Sequence, residues 1–129
     1  MPAEQRMHER LAVKDGALAA FSRFDGCSFC KVGDIVDISL AGLSYCYLKE
    51  TEPTPESTQL EIFGYKEPRL HLQKIPCKVI YESNLRDPFG LGLGTRTIRC
   101  GLEFGDLSPK QRSQLELFIE NYAASQRSG

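Results

Sequence analysis

The sequence predicts one mainly β domain, a small barrel or sandwich of short antiparallel strands with a single α-helix at the C-terminal end. Three observations predict it. The chain has 129 residues, 41% hydrophobic and 26% charged, which is one domain's length and an ordinary globular composition. Residues 17–104 hold several short segments of period-2 alternation separated by Gly, Pro and Asp turn signals. One later segment, 109–124, switches to a helical period. A chain of this size hides roughly two-thirds of its unfolded surface, enough for a core.

Residues 1–16 are polar, with Arg6, Arg10 and Lys14 among Glu4, Glu9 and Asp15. They are expected to form a flexible N-terminal arm, with residues 17–129 forming the barrel and its helix. Gly16–Phe21 is a short apolar run and the first expected strand. Val32–Ser39 follows, opened by Gly33-Asp34. Gly42–Leu48 alternates Leu43, Tyr45 and Tyr47 against Ser44, Cys46 and Leu48. Thr51–Ser57 contains two prolines and reads as a loop. Thr58–Phe63 is a strand ended by Gly64. Lys74–Glu82 alternates Cys77, Val79 and Tyr81 against Lys78, Ile80 and Glu82. Asn84–Thr95, with Pro88 and three glycines, is a connector. Arg96–Phe104 is the last strand, with Ile98, Cys100, Leu102 and Phe104 on one face and Arg99, Gly101 and Glu103 on the other.

The helix has a clear start: Ser108 suits the N-cap and Pro109 the first turn. Leu115, Phe118, Ile119 and Tyr122 fall on one stripe, while Arg112, Gln114 and Glu120 lie opposite. The stripe is expected to pack over an open end of the strands.

Composition and patterning exclude several classes. No run approaches the 18 apolar residues of a membrane-spanning helix, and the polar N-terminus lacks the apolar core of a signal peptide. A cytoplasmic protein without membrane insertion is expected. Sixteen Lys+Arg balance 17 Asp+Glu, net −1, where DNA or RNA binding would call for a basic excess. Any anion must be held by a few local cations. Five cysteines, an odd number, read as reduced thiols.

Two motifs carry chemistry. Arg6 and Arg10 form R-x-x-x-R, and share a side on a helix or on a strand. Guanidinium groups fork onto phosphate and stack on aromatic planes. Asp37-Ile38-Ser39-Leu40-Ala41-Gly42 reads D-x-S-x-x-G at a strand-to-strand turn. The Asp37 carboxylate can accept from paired donors such as the N1–H and N2–H2 edge of guanine, the Ser39 hydroxyl can donate or accept, and Gly42 permits a backbone bend and close approach. Both motifs are also ordinary arm and turn chemistry.

Together they resemble the PilZ domain, the bacterial receptor module for cyclic di-GMP. RMHER followed by DISLAG carries the resemblance. VGDIVDISLAGLSYCYL reads like that family's second and third strands. RCGLEFGDLSPKQRSQLELFIENY reads like its last strand and closing helix, with Gly101 and Phe104 in the G-x-x-F positions. The resemblance implies a six-stranded antiparallel barrel with a C-terminal helix. It also implies a ligand, cyclic di-GMP, with phosphates clamped by Arg6 and Arg10 and guanine lined by Asp37, Ser39 and Gly42. A non-catalytic receptor follows, without cofactor, relaying the second messenger to an unidentified protein effector. The alternatives are an adaptor of the same fold that binds no nucleotide, or a redox or metal protein using Cys27-Ser28-Phe29-Cys30.

That C-x-x-C lacks the second ligand pair a structural zinc needs, and lacks a thioredoxin-like βαβ context. Cys46, Cys77 and Cys100 read as small core residues. His8 and His71 have no nucleophile partner in the pattern. The glycines of Pro88–Gly94 are not followed by the Lys-Ser/Thr and helix of a phosphate-binding loop. No enzyme and no metal site are expected.

Overall fold

The structure, a computed structural model, describes residues 10–22, 29–49, 59–84 and 97–123. Seven strands and one helix are present among them: β1 (Leu11–Ala12), β2 (Ala17–Ser22), β3 (Phe29–Ile38), β4 (Gly42–Leu48), β5 (Gln59–Gly64), β6 (Leu70–Asn84), β7 (Thr97–Phe104) and α1 (Pro109–Tyr122). The order β3-β2-β5-β6-β7-β4 returns to β3 through the β3–β4 pairing, so six antiparallel strands close a barrel. The expected fold class is thus what the chain adopts. Closure pairs each of these six strands with a neighbour on both sides over part of its length.

The interior is filled by the apolar phase of each strand. Ala19, Ile35, Ile38, Leu43, Tyr45, Leu60, Ile62, Leu72, Ile75, Cys100 and Leu102 are all buried. The alternation read along Gly42–Leu48 and along the last strand holds. β1 was not expected. It is two residues long, too short for a period, and pairs Leu11 with Ile38 and Ala12 with Asp37.

Elsewhere the strands outrun their sequence signal, and β-bulges are the reason. β3 starts at Phe29 rather than Val32, because Lys31 and Val32 both oppose Ala20 and break the alternation; Lys31 there has φ 51°. β6 starts at Leu70 rather than Lys74. Gln73 and Lys74 both lie opposite Glu61, whose buried carboxylate accepts the Lys74 N–H at 2.9 Å. Farther along β6, Val79 and Tyr81 were read as one face with buried Cys77, yet both are exposed. Among the described residues β5 begins at Gln59, opposite Pro76, so Lys78–Asn84 pair with β7 alone. Ile80 is a further bulge, between the pairs Val79–Leu102 and Tyr81–Gly101. Asn84, read as the first residue of a connector, is the last of β6; the rest of that connector (85–95), the loop read at 51–57, and Thr58, Arg96 and Ala124 lie outside the described residues.

The helix begins as its sequence dictates. The Ser108 hydroxyl accepts from the Gln111 N–H at 3.1 Å, and the Gln111 side chain accepts from the Ser108 N–H at 3.0 Å. Leu115, Phe118 and Tyr122 are buried and Ile119 packs against the core beside them. Phe118 and Tyr122 stack with ring centroids 4.7 Å apart. The helix lies at the barrel end formed by the start of β6 and the end of β5. The Gln111 amide donates to the Gln73 and Lys74 carbonyls, and the Tyr122 hydroxyl accepts from the Lys66 N–H at 3.1 Å and lies 2.8 Å from the Pro68 carbonyl. No described helix is long and apolar enough to cross a membrane.

Tyr122→Phe keeps the ring and strips these polar partners. Stability in urea is expected to fall by about 1–3 kcal/mol, the cost of leaving buried polar groups unmade, with the barrel still formed by circular dichroism. An unchanged unfolding midpoint would show that the hydroxyl does not anchor the helix.

Candidate functional site

The site begins with a bulge. Under strict alternation Asp37 would share the inward face of Ile35. Val36 is an extra residue between the pairs Ile35–Tyr45 and Asp37–Ser44, and it flips the phase. Ile35 and Ile38 then both point into the core while Asp37 faces out, half-buried. The Val36 carbonyl accepts from the Val13 N–H at 3.0 Å, so the segment after β1 is fastened to the bulge. Ala12 pairs with Asp37, and Arg10, two residues upstream, falls on the same outer face.

Two arginines meet at Asp37. Arg10 Nη1 donates to Asp37 Oδ1 at 2.9 Å across 27 residues of sequence. Arg99 Nη2 donates to Oδ2 at 3.3 Å from β7, 62 residues away. The Ser44 hydroxyl donates to Oδ1 at 2.9 Å and accepts from Arg99 Nη2 at 3.2 Å. Asp37, Ser44 and Arg99 thus form a closed triangle across three neighbouring strands, with Arg10 added from outside. Two guanidinium groups and one carboxylate leave the network one positive charge in excess, suited to an anion.

The other predicted residues lie beneath this surface. Ser39 is 2% exposed. Its hydroxyl accepts from the Ala41 N–H at 3.0 Å and donates to the Gly42 carbonyl at 3.4 Å, while its N–H donates to that carbonyl at 2.8 Å. Gly42 is needed for a close approach, but to a strand: a Cβ there would lie 2.1 Å from the Leu102 carbonyl oxygen. Ser39 and Gly42 therefore fix the β3–β4 turn that carries Asp37. Arg6 and His8 lie outside the described residues.

Ser44 and Arg99 were missed as site residues. The alternation already put both on the outer faces of their strands. Only the register, Ser44 with Asp37 on one side and with Gly101 on the other, brings them together. Tyr81 continues the same outer row. It pairs with Gly101, and its ring fills the space a Cβ on Gly101 would need, 2.1 Å from Cε2.

The remaining chemistry-bearing residues stand apart from this network. His71 Nε2 lies 2.6 Å from Glu61 Oε1 on the β5–β6 pair and its ring stacks on Phe63. Cys27 lies outside the described residues. Cys30 is buried opposite Phe21. Among the described residues no three His, Cys, Asp or Glu side chains are placed to hold a metal ion. Burial pushes the Cys77 thiol up to about 12 and the Cys100 thiol up to about 11.

Fold and site together define a small β-barrel domain that carries its polar cluster on the outer wall, where β1 lies against the β3–β4 hairpin. The chain belongs to the PilZ domain family, whose profile matches residues 4–121. Two solved structures share the fold. The PilZ domain of YcgR from Escherichia coli with c-di-GMP is 17% identical with a TM-score of 0.61, over 90% of this chain and 89% of that one. YcgR from Escherichia coli in complex with c-di-GMP is 20% identical with a TM-score of 0.58, over 90% of this chain. This chain spans only 45% of that longer one. No curated protein matches the sequence significantly.

The raised thiols give a direct prediction, since only a thiolate attacks a disulfide reagent. In the folded protein at mildly alkaline pH, Cys77 and Cys100 are expected to stay unmodified by Ellman's reagent and to react fully once urea unfolds the chain. Peptide mass mapping assigns the sites. Rapid labelling of either in the folded state would contradict their burial.

Proposed function

We propose that this PilZ domain is a cytoplasmic receptor for cyclic di-GMP that carries out no reaction and relays nucleotide binding to a protein partner. The observation that carries the reading is the meeting of Arg10 with Asp37 at the outer wall, beside Arg99. A carboxylate that accepts paired N–H donors suits the guanine edge, and forked guanidinium groups suit phosphates. Cyclic di-GMP carries two of each. The YcgR structures of similar fold contain the same nucleotide.

In this reading Arg10 and Arg6 clamp the phosphates and Asp37 accepts from guanine N1–H and N2–H2. Ser39 and Gly42 hold the turn that aims Asp37. Magnitudes favour exchange. Arg10 is 44% exposed and Asp37 22%, and an ion pair of that kind is worth only about 0–1 kcal/mol. A ligand can therefore take Arg10 from Asp37 at little cost. Arg10 leads directly into β1, so its displacement is transmitted to the N-terminal segment, where a protein partner reads it.

Calorimetric titration tests this. Cyclic di-GMP is expected to bind, and Arg6→Ala and Arg10→Ala are each expected to weaken it about 10–100-fold, the loss of a charged hydrogen bond. Cyclic di-AMP presents an acceptor at N1 and no C2 amine, and is expected to bind at least about tenfold more weakly. Asp37→Ala should narrow that gap. Unchanged affinity in both arginine variants, or a gap untouched by Asp37→Ala, would contradict the assignment.

A further inference from the structure

The two arginines on Asp37 are not equivalent. Arg10 makes one contact, to Oδ1, from an exposed position. Arg99 is held twice through Nη2, to Asp37 Oδ2 and to Ser44 Oγ, and its Nε is buried. Among the described residues nothing accepts from Arg99 Nη1 or Nε. Its guanidinium is fixed in place with donor capacity to spare.

We propose that Arg99 is the specificity-determining residue of the site, donating to O6 of the guanine whose N1–H and N2–H2 are accepted by Asp37. The proposal rests on the cyclic di-GMP receptor reading. Along its pairing edge guanine presents an acceptor, O6, then two donors, N1–H and N2–H2. A carboxylate takes the two donors, one on each oxygen. The oxygen that takes N1–H must have a donor beside it for O6, and the oxygen that takes N2–H2 must be cleared of an exposed competing donor. Oδ2 has the fixed guanidinium of Arg99 beside it. Oδ1 has Arg10, which is exposed and singly bound and so can leave for a phosphate, while the buried Ser44 hydroxyl stays behind. The base is thereby oriented with N1–H on Oδ2, N2–H2 on Oδ1 and O6 toward Arg99. Adenine would set its exocyclic amine, a donor, against the same guanidinium.

Two base analogues separate the contacts. A cyclic dinucleotide of 6-thioguanine keeps N1–H and N2–H2 but replaces O6 by a poor acceptor. One of hypoxanthine keeps O6 and N1–H but lacks the C2 amine. The wild-type chain is expected to prefer cyclic di-GMP over each by about tenfold. Arg99→Met is expected to lose the preference at O6 and keep the preference at the C2 amine, with folding checked by urea titration. If that variant does not fold, the same two ratios are read on Arg99→Gln, whose amide stops short of the guanidinium position. An O6 preference that survives the substitution would overturn the proposal. So would a parallel loss of both preferences, since Arg99 would then only hold Asp37, and so would erasure of the O6 preference by Arg10→Ala instead. Failure of the wild-type chain to bind cyclic di-GMP at all would overturn the receptor reading itself, and the Arg99 assignment with it.

Discussion

One extra residue in β3 places the chemistry of this domain. Val36 sits between two register pairs of the β3–β4 ladder, and the phase change turns Asp37 from the core to the outer wall. Without it the carboxylate would face the interior on the side of Ile35, where an unpaired charge is strongly disfavoured, and Ile38 would be turned out to solvent. The rest of the site assembles on that change. β1 docks on the bulge through the Val36 carbonyl, Arg10 arrives on the same face, and the ladder through Ser44 sets β7, with Arg99, beside the carboxylate.

The motif residues divide by energetic role. Ser39 and Gly42 are buried and committed to the β3–β4 turn and to the contact of β4 with β7, so they act by holding shape. Asp37, Arg10 and the outer-face residue Arg99 are partly solvated, and the contact of Arg10 with Asp37 is one that a ligand can replace. A rigid barrel under an exchangeable polar cluster suits recognition. The geometry of the acceptor is set in advance, which lowers the ordering cost of binding.

The sequence made the architecture legible wherever its period was unbroken. β4 is bounded and phased as its alternation indicates, β7 is phased as read and ends at Phe104 as read, and the helix begins at Ser108-Pro109 with its stripe buried. Legibility failed at the bulges, where one added residue cancels a period of two: before Gly33, before Ile75 and around Ile80. β1 is too short to carry a period at all. For the site, Asp37 and Arg10 were visible as motif residues and their contact was not. Arg99 and Ser44 could be assigned to an outer face, but their neighbours depend on strand register across about 60 residues, a long-range property that hydrophobic pattern fixes only for the buried face. Ser39 and Gly42 were visible for the right residue types, since turn chemistry and ligand chemistry draw on the same ones.

The central claim is that an outward-turned Asp37 accepts the donor edge of guanine. Proton NMR of bound cyclic di-GMP addresses it at the bond itself, through the guanine N1 imino proton. Accepted by Asp37, this proton is expected to appear as a downfield, slowly exchanging resonance in the complex, accompanied by a shift of the Asp37 side-chain carboxyl carbon. It should be lost in Asp37→Ala, which removes the acceptor, while the barrel signals persist. An imino proton that exchanges as fast in the complex as in the free nucleotide, with the Asp37 carboxyl carbon unmoved, would contradict the account.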